Sequence, residues 1–337
     1  MRSSLLARPI NGPFEDPGVF VDLLHGRRAF LFDLGDLGAL SVREALRVRD
    51  IFVSHTHMDH FCGFDRLLRL CLGRDMELRL FGPPELIEHV EHKLSAYTWN
   101  LIQGYENELS FVVAELHPEG KGRRAVFRLR DGFARSEETE IAFPDGVLFE
   151  EGNLRAHAAI LDHGIPCLGF ALEEKWHVNV YKNRLIELGL EKGPWLRELK
   201  ALVLAEAPED TPVIAWWSRG GRRVERELAL GELKRMLLDV VRGDRIAYVT
   251  DVAYTEANVA AIVALAREAE ILFIEATFLD RERERAAARR HLTARQAGTI
   301  ARLAGAKRVV PFHFSPRYVE EEAALYLELD AAFADDG

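Results

Sequence analysis

The chain reads as a mixed α/β protein of two β-sheets packed together with helices outside, an αβ/βα sandwich. Three observations predict it. Short apolar runs of strand length alternate with longer amphipathic stretches: strand-like runs near 201, 246, 271 and 308 are separated by helical patterns at 223–242, 256–269 and 293–304. The first half opens on β segments rather than helices. Several apolar runs end in His or Asp, as in layered α/β folds whose sites collect at strand ends.

In order along the chain, residues 19–24 and 28–34 give the first short β segments, and Ile51-Phe52-Val53-Ser54 gives a buried strand. Helices are expected over 61–72 and 84–97, then β segments between 111 and 159 set apart by Gly, Pro and Asp turns. Residues 176–226 are the expected insertion or arm within a single domain spanning 1–337. No sequence repeat relates the two halves.

Beyond the strand at 51–54 stands His55-Thr56-His57-Met58-Asp59-His60, three imidazoles and a carboxylate in six residues. Imidazole nitrogen and carboxylate oxygen suit zinc and related divalent ions, and a tight turn aims alternate residues at two neighbouring ions. On this reading His55 and His57 hold one ion, and Asp59 and His60 a second; the bland alternative is a solvated His-rich turn. Two ions need more ligands than one turn supplies. His163 lies just before the apolar Ile165-Pro166, Asp251 ends the run Ile246-Ala247-Tyr248-Val249-Thr250, and His313 ends Val309-Val310-Pro311-Phe312. Taken singly each could be structural, but in order behind the first motif they reinforce one another.

A chain of 337 residues with 48% apolar content can bury a sizeable core. No apolar stretch approaches the roughly 18 residues of a membrane span, and no signal-peptide pattern opens the chain, which points to the cytoplasm. Cys62, Cys71 and Cys167 are too few and too irregular for a disulfide framework or a Cys zinc site. Cys62 and Cys167, near the candidate ligands, read as buried small apolar residues. A net charge of −10 counts against nucleic acid, because polyanion binding draws its affinity from Lys and Arg. Basic runs nevertheless occur at 121–124, 219–223 and 281–290, the last just before His291 and interleaved with Glu282 and Glu284. Each can equally be a solvated face.

With these residues in place the chain resembles the metallo-β-lactamase superfamily and, within it, the ribonuclease Z group of endonucleases that remove 3′ trailers from precursor transfer RNA. The resemblance spans most of the chain and implies the four-layer αβ/βα sandwich. His55, His57, Asp59 and His60 match the superfamily signature, and His163, Asp251 and His313 its remaining ligands by order and setting. Narrower signals are Glu275-Ala276-Thr277, then His291-Leu292-Thr293 opening a helix, then His313-Phe314-Ser315-Pro316-Arg317-Tyr318. Three departures bear on substrate: Met58 stands where a glycine is usual, Leu292 where a serine is usual, and Asp33-Leu34-Gly35-Asp36-Leu37-Gly38 replaces an acidic, Gln-containing loop close to the active centre. Leu188-Gly189-Leu190-Glu191-Lys192-Gly193-Pro194 resembles the stem of the family's RNA-clamping arm, although Glu206, Glu209 and Asp210 give its tip little basic character. Trp195, Trp216 and Trp217 there are either base-stacking or core residues.

The resemblance implies two divalent ions, zinc first with Mn²⁺ or Fe²⁺ as alternatives, that lower the pKa of bound water from 15.7 to about 7. His55, His57 and His163 are assigned to one ion and Asp59, His60 and His313 to the other, with Asp251 bridging. Asp59 is also the acceptor for the proton of the attacking water. His291, oriented by Glu275, is expected to help expel the leaving group. Precursor tRNA is the implied substrate and a homodimer the implied assembly. The alternative is a hydrolase of a small phosphodiester or ester, such as a cyclic nucleotide, on the same centre.

Overall fold

Strands covered on both faces read as continuous apolar runs. In the computed structural model, which describes residues 4–24, 26 and 28–335, such strands dominate the larger of two compact units, Met1–Phe149 with Ala156–Leu172 and Arg245–Gly337. Its first sheet has eight strands in chain order: Leu5–Pro9 (β1), Val19–Leu23 (β2), Ala29–Phe32 (β3), Val48–Phe52 (β4), Met76–Gly82 (β5), Leu109–Leu116 (β6), Lys121–Arg128 (β7) and Arg135–Ala142 (β8). Strands β3 to β6 run parallel, and antiparallel pairs flank them.

The chain continues through Val147–Glu151 (β9), Leu154–Asp162 (β10) and Pro166–Glu174 (β11), then Trp176–Val180 (β12), Pro212–Arg219 (β13), Arg222–Ala229 (β14) and Leu238–Arg242 (β15). It returns through Arg245–Val249 (β16), Ile271–Glu275 (β17) and Val309–Phe312 (β18). A second sheet of six has the order β18-β17-β16-β11-β10-β9, with β16, β17 and β18 parallel.

The two-residue side-chain period of a strand explains the layering. Leu31, Ile51 and Leu80 pack with the helices Phe64–Cys71 and Leu86–Ser95. Their neighbours Phe32 and Phe52 turn the opposite way and meet the second sheet, Phe32 on Tyr248 with ring centroids 5.4 Å apart and Phe52 on Phe170 at 5.4 Å. Val249, Leu272 and Ile274 of the second sheet pack on the helices Glu256–Leu265, Ala294–Ala304 and Glu322–Phe333. Helix, sheet, sheet and helix therefore stack as four layers. Among the described residues no helix is long and apolar enough to cross a membrane.

The smaller unit, Glu150–Arg155 with Glu173–Asp244, has its own core of Trp195, Leu199, Val203, Ala215, Trp217, Leu233 and Leu237. Two sequence expectations fail here. The apolar run near 201 is the helix Trp195–Leu204, not a strand; Trp195, Leu199 and Val203 recur every fourth residue and are its buried stripe. The helical pattern over 223–242 is instead β14, the helix Leu230–Leu237 and β15. Gly220 and Gly221, at φ 57° and 75°, form a two-residue hairpin turn between β13 and β14, and that turn chemistry overrides the helical pattern. The Arg219 side chain, in the basic run 219–223, lies outside what is described.

Candidate metal centre

The sequence-predicted site residues gather just past the carboxyl ends of strands. The turn 55–60 follows β4, His163 follows β10, Asp251 follows β16, His313 follows β18, and Glu275 is the last residue of β17. Asp33 follows β3 with φ 57°. The loop it opens closes on the metal turn: the Leu34 N–H donates to the His60 carbonyl at 2.9 Å and the Gly63 N–H to the Leu34 carbonyl at 2.8 Å. A Cβ on Gly63 would stand 2.1 Å from the Gly35 carbonyl oxygen, so only glycine permits this approach.

Three overlapping groups result. His55, His57, His163 and Asp251 form one, Asp59, His60 and His313 a second, and Asp251, His291 and His313 a third, each with one ligand atom per residue within 4.8 Å of the rest. The Asp251 carboxylate faces the first two. Its Oδ2 lies 3.7 Å from His55 Nε2 and 3.6 Å from His163 Nε2, while its Oδ1 lies 3.5 Å from His60 Nε2 and 3.4 Å from His313 Nδ1. Asp59 Oδ2 stands 3.5 Å from His60 Nε2 and 3.3 Å from His313 Nε2. Donors held about 2.0–2.1 Å from a tetrahedral ion stand about 3.4 Å from one another, so these spacings fit shared divalent ions.

The distal ring nitrogens are tied down. His60 Nδ1 donates to buried Asp33 Oδ2 at 2.9 Å, His163 Nδ1 to the Arg290 carbonyl at 2.8 Å, and His291 Nδ1 to Glu275 Oε2 at 3.1 Å. The Ser54 hydroxyl gives its proton to Asp33 Oδ2 at 2.7 Å and so accepts from His55 Nδ1 at 3.1 Å. These bonds assign each proton to Nδ1 and turn Nε2 toward the centre. Nε2 of His55 and of His60 is buried without a hydrogen-bond partner. A buried polar atom left so costs about 1–3 kcal/mol, and a metal ion is the partner its lone pair suits.

Electrostatics follow the same lines. Burial holds His55 down at about 2, which keeps its ring neutral. The hydrogen bond from His313 holds Asp59 at about 2 despite partial burial. Burial alone would lower His291, but the charge and hydrogen bond of Glu275 outweigh it and raise the imidazole to about 9. Glu275 is fully buried and itself anchored, accepting from the Val252 N–H at 2.8 Å and from Thr277 Oγ1 at 2.5 Å. Thr293 caps the helix that follows His291, bonding reciprocally with Gln296.

The sequence reading gave Glu275 as the support of His291 but missed Asp33 and Tyr248. Asp33 accepts four hydrogen bonds, from Ser54 N at 2.6 Å, Ser54 Oγ at 2.7 Å, His60 Nδ1 at 2.9 Å and Tyr248 OH at 2.7 Å. It carried the same signal as Asp251, an acid directly beyond a buried strand, whereas Tyr248 looked like plain core. Cys167 is buried beside His55, but Cys62 is half-exposed and donates to Asp16 Oδ2 at 3.3 Å, so its reading as a buried apolar residue is corrected. The basic run before His291 is largely paired: Arg281 with Glu321 at 2.7 Å, Arg283 with Asp280 at 2.8 Å, Arg285 with Glu282 at 3.3 Å and Arg290 with Asp162 at 3.1 Å.

Residues 213–314 match the family model described as Beta-lactamase superfamily domain. The chain is 31% identical over 323 residues to ribonuclease Z of Deinococcus radiodurans, a match that covers 94% of this chain and 92% of that one. It is 27% identical over 300 residues to ribonuclease Z of Treponema pallidum strain Nichols, covering 87% and 79%. Among solved structures it is similar to human tRNase Z, short form, with a TM-score of 0.51 at 19% identity over 92% of this chain and 93% of that one. The metallo-beta-lactamase fold protein YhfI from Bacillus subtilis matches with a TM-score of 0.55 at 13% identity over 99% and 94%. At these identities the two structures speak for the fold.

Proposed function

The chain belongs to the ribonuclease Z family, and on that premise we propose that it is a metal-dependent endoribonuclease that hydrolyses the phosphodiester joining a precursor tRNA to its 3′ trailer. The observation that carries this reading is the Asp251 carboxylate, whose two oxygens face two separate histidine clusters with the Glu275–His291 pair alongside. The chemistry that divalent ions would supply at such a site is a lowered pKa for bound water and charge stabilisation of the phosphoryl group.

The protein's own groups supply the rest. His55, His57 and His163 would hold one ion and Asp59, His60 and His313 a second, with the Asp251 carboxylate placed to face both. Asp33, through its bond to His60, fixes the angle at which that ring is presented. Asp59, ionised at neutral pH, accepts the proton of the attacking water. His291 is protonated at neutral pH and held by Glu275, which equips it to neutralise charge on the phosphate or to protonate the departing 3′ oxygen. The ligand types favour zinc, with Mn²⁺ or Fe²⁺ as substitutes. The same reading makes the enzyme a cytoplasmic homodimer and treats 176–226 as an insertion in a single domain.

Cleavage of a precursor tRNA carrying a 3′ trailer, in Zn²⁺ or Mn²⁺, tests the proposal, with Asp59→Ala as control. Metal-dependent cleavage at the base of the trailer, lost in the variant, is the expected outcome. Bound metal with turnover of a simple phosphodiester and no cleavage of the RNA would move the substrate to the small-molecule class.

A further inference from the structure

We infer that the mouth of the metal centre is an apolar reading surface in which Met58, Ile165 and Tyr254 receive the unpaired nucleobases flanking the scissile phosphodiester, an inference that rests on the RNA-cleaving reading above. Three loops that deliver cluster residues each also turn a large apolar side chain to solvent. Met58, between His57 and Asp59, is 83% exposed; Tyr254, three residues past Asp251, is 43% exposed; Ile165, two residues past His163, is 41% exposed. These loops converge. The His57 and His163 rings lie 5.5 Å apart, and the Ala253 N–H donates to the Asp162 carbonyl at 2.9 Å. The Asn258 amide staples the same two loops, donating to the carbonyls of Asp162 at 3.0 Å and Ala253 at 2.8 Å.

Apolar side chains left in water beside a polar centre gain when something apolar covers them. Charge argues for the same occupant. Several guanidiniums on the segments flanking the centre are already held by carboxylates, Arg290 by Asp162 at 3.1 Å, Arg281 by Glu321 at 2.7 Å and Arg317 by Glu282 at 2.7 Å, in a chain of net charge −10. A phosphate backbone therefore meets cations with carboxylates attached. A base needs no cation, since every base offers a π-face to an aromatic ring. Met58 suits the role because an unbranched, polarizable thioether adapts to purine and pyrimidine alike, and Tyr254 offers a ring on which to stack. The occupant is thus single-stranded RNA at the junction of the tRNA and its trailer, read by shape and stacking rather than by phosphate charge.

The test crosses enzyme with substrate. Metal-loaded wild type, Met58→Gly, Met58→Leu and Tyr254→Ala are assayed on a trailer-bearing precursor tRNA and on the same RNA with abasic nucleotides on both sides of the scissile bond. On the intact RNA, Met58→Gly and Tyr254→Ala should raise KM roughly five- to tenfold with little change in kcat, and Met58→Leu should stay near wild type. On the abasic RNA the four enzymes should converge, with equal metal content throughout. Equal effects on both RNAs, or no change in KM for either truncation, overturn the inference and leave the ribonuclease reading standing. If the wild type cleaves neither RNA yet turns over a simple phosphodiester, that reading falls and the inference with it.

Discussion

The two compact units place their polar groups in opposite ways. In the larger unit several ionisable side chains of the centre are buried and fixed by partners that are themselves fixed: Asp33 holds His60, Glu275 holds His291, and the Val252 N–H holds Glu275. In the smaller unit the hydrophobic core is apolar, with Trp195 and Trp217 buried, and apart from the buried Glu173 and Glu174 the charges lie mostly outside it, as where Arg223 stacks on Trp216 with 4.6 Å to the ring centroid. The difference teaches what each can do. Buried, mutually oriented donors are suited to bind ions and move protons, whereas an apolar core under a charged exterior holds a shape.

The sharpest way to break that contrast is to remove its centre. Asp251→Ala should lose bound metal and activity together, measured by metal analysis and turnover; full metal occupancy in the variant would sink the bridging assignment. His291→Ala should keep its metal while kcat falls about 10²–10⁴-fold, the loss typical of a positioned proton donor. Asp33→Ala sharpens the argument about supports. His60 would keep its Nε2 but lose its tether, and metal affinity should weaken by about 10–100-fold, read by competition with a chelator.

The gathering of the candidate ligands was legible because such residues stand out: His55, His57, Asp59 and His60 sit in six consecutive residues, and His163, Asp251 and His313 each stand beside an apolar strand. The layers were legible for a related reason. Residues such as Ala29–Phe32, buried on both faces, leave an unbroken apolar run. The supports Asp33 and Tyr248 were not, because they act through partners far along the chain, and no local pattern shows that the Tyr248 hydroxyl lies 2.7 Å from an acid 215 positions away. In the smaller unit, Trp195-Leu196-Arg197-Glu198-Leu199 is dense in apolar residues and easily mistaken for strand, and the Gly220-Gly221 turn outweighs the helical periodicity around it.

Trp195→Ala tests whether the smaller unit only holds a shape. Its ring is fully buried and its Nε1 donates to the Glu191 carbonyl at 3.0 Å. Truncation should cost about 3–5 kcal/mol within that core. Protease susceptibility between 173 and 244 should rise while metal stoichiometry and turnover of a simple phosphodiester stay unchanged. Loss of metal in this variant would erase the contrast drawn above.

The smallest effect is expected where the sequence pointed most openly to RNA. Arg281 opens the basic run before His291, but its guanidinium donates to both oxygens of Glu321, at 2.7 and 2.9 Å, and Glu321 holds it further toward the protonated form. A cation so held has little left to release condensed counterions from a phosphate, and counterion release is what salt dependence measures. Arg281→Ala should therefore leave the slope of log affinity for precursor tRNA against log salt unchanged, whereas a residue in contact with phosphate would reduce it by about one. A reduction of that size would mean that Arg281 exchanges Glu321 for the substrate. The charged surface would then act in recognition, and the contrast between an oriented interior and an inert exterior would have to be redrawn at that helix.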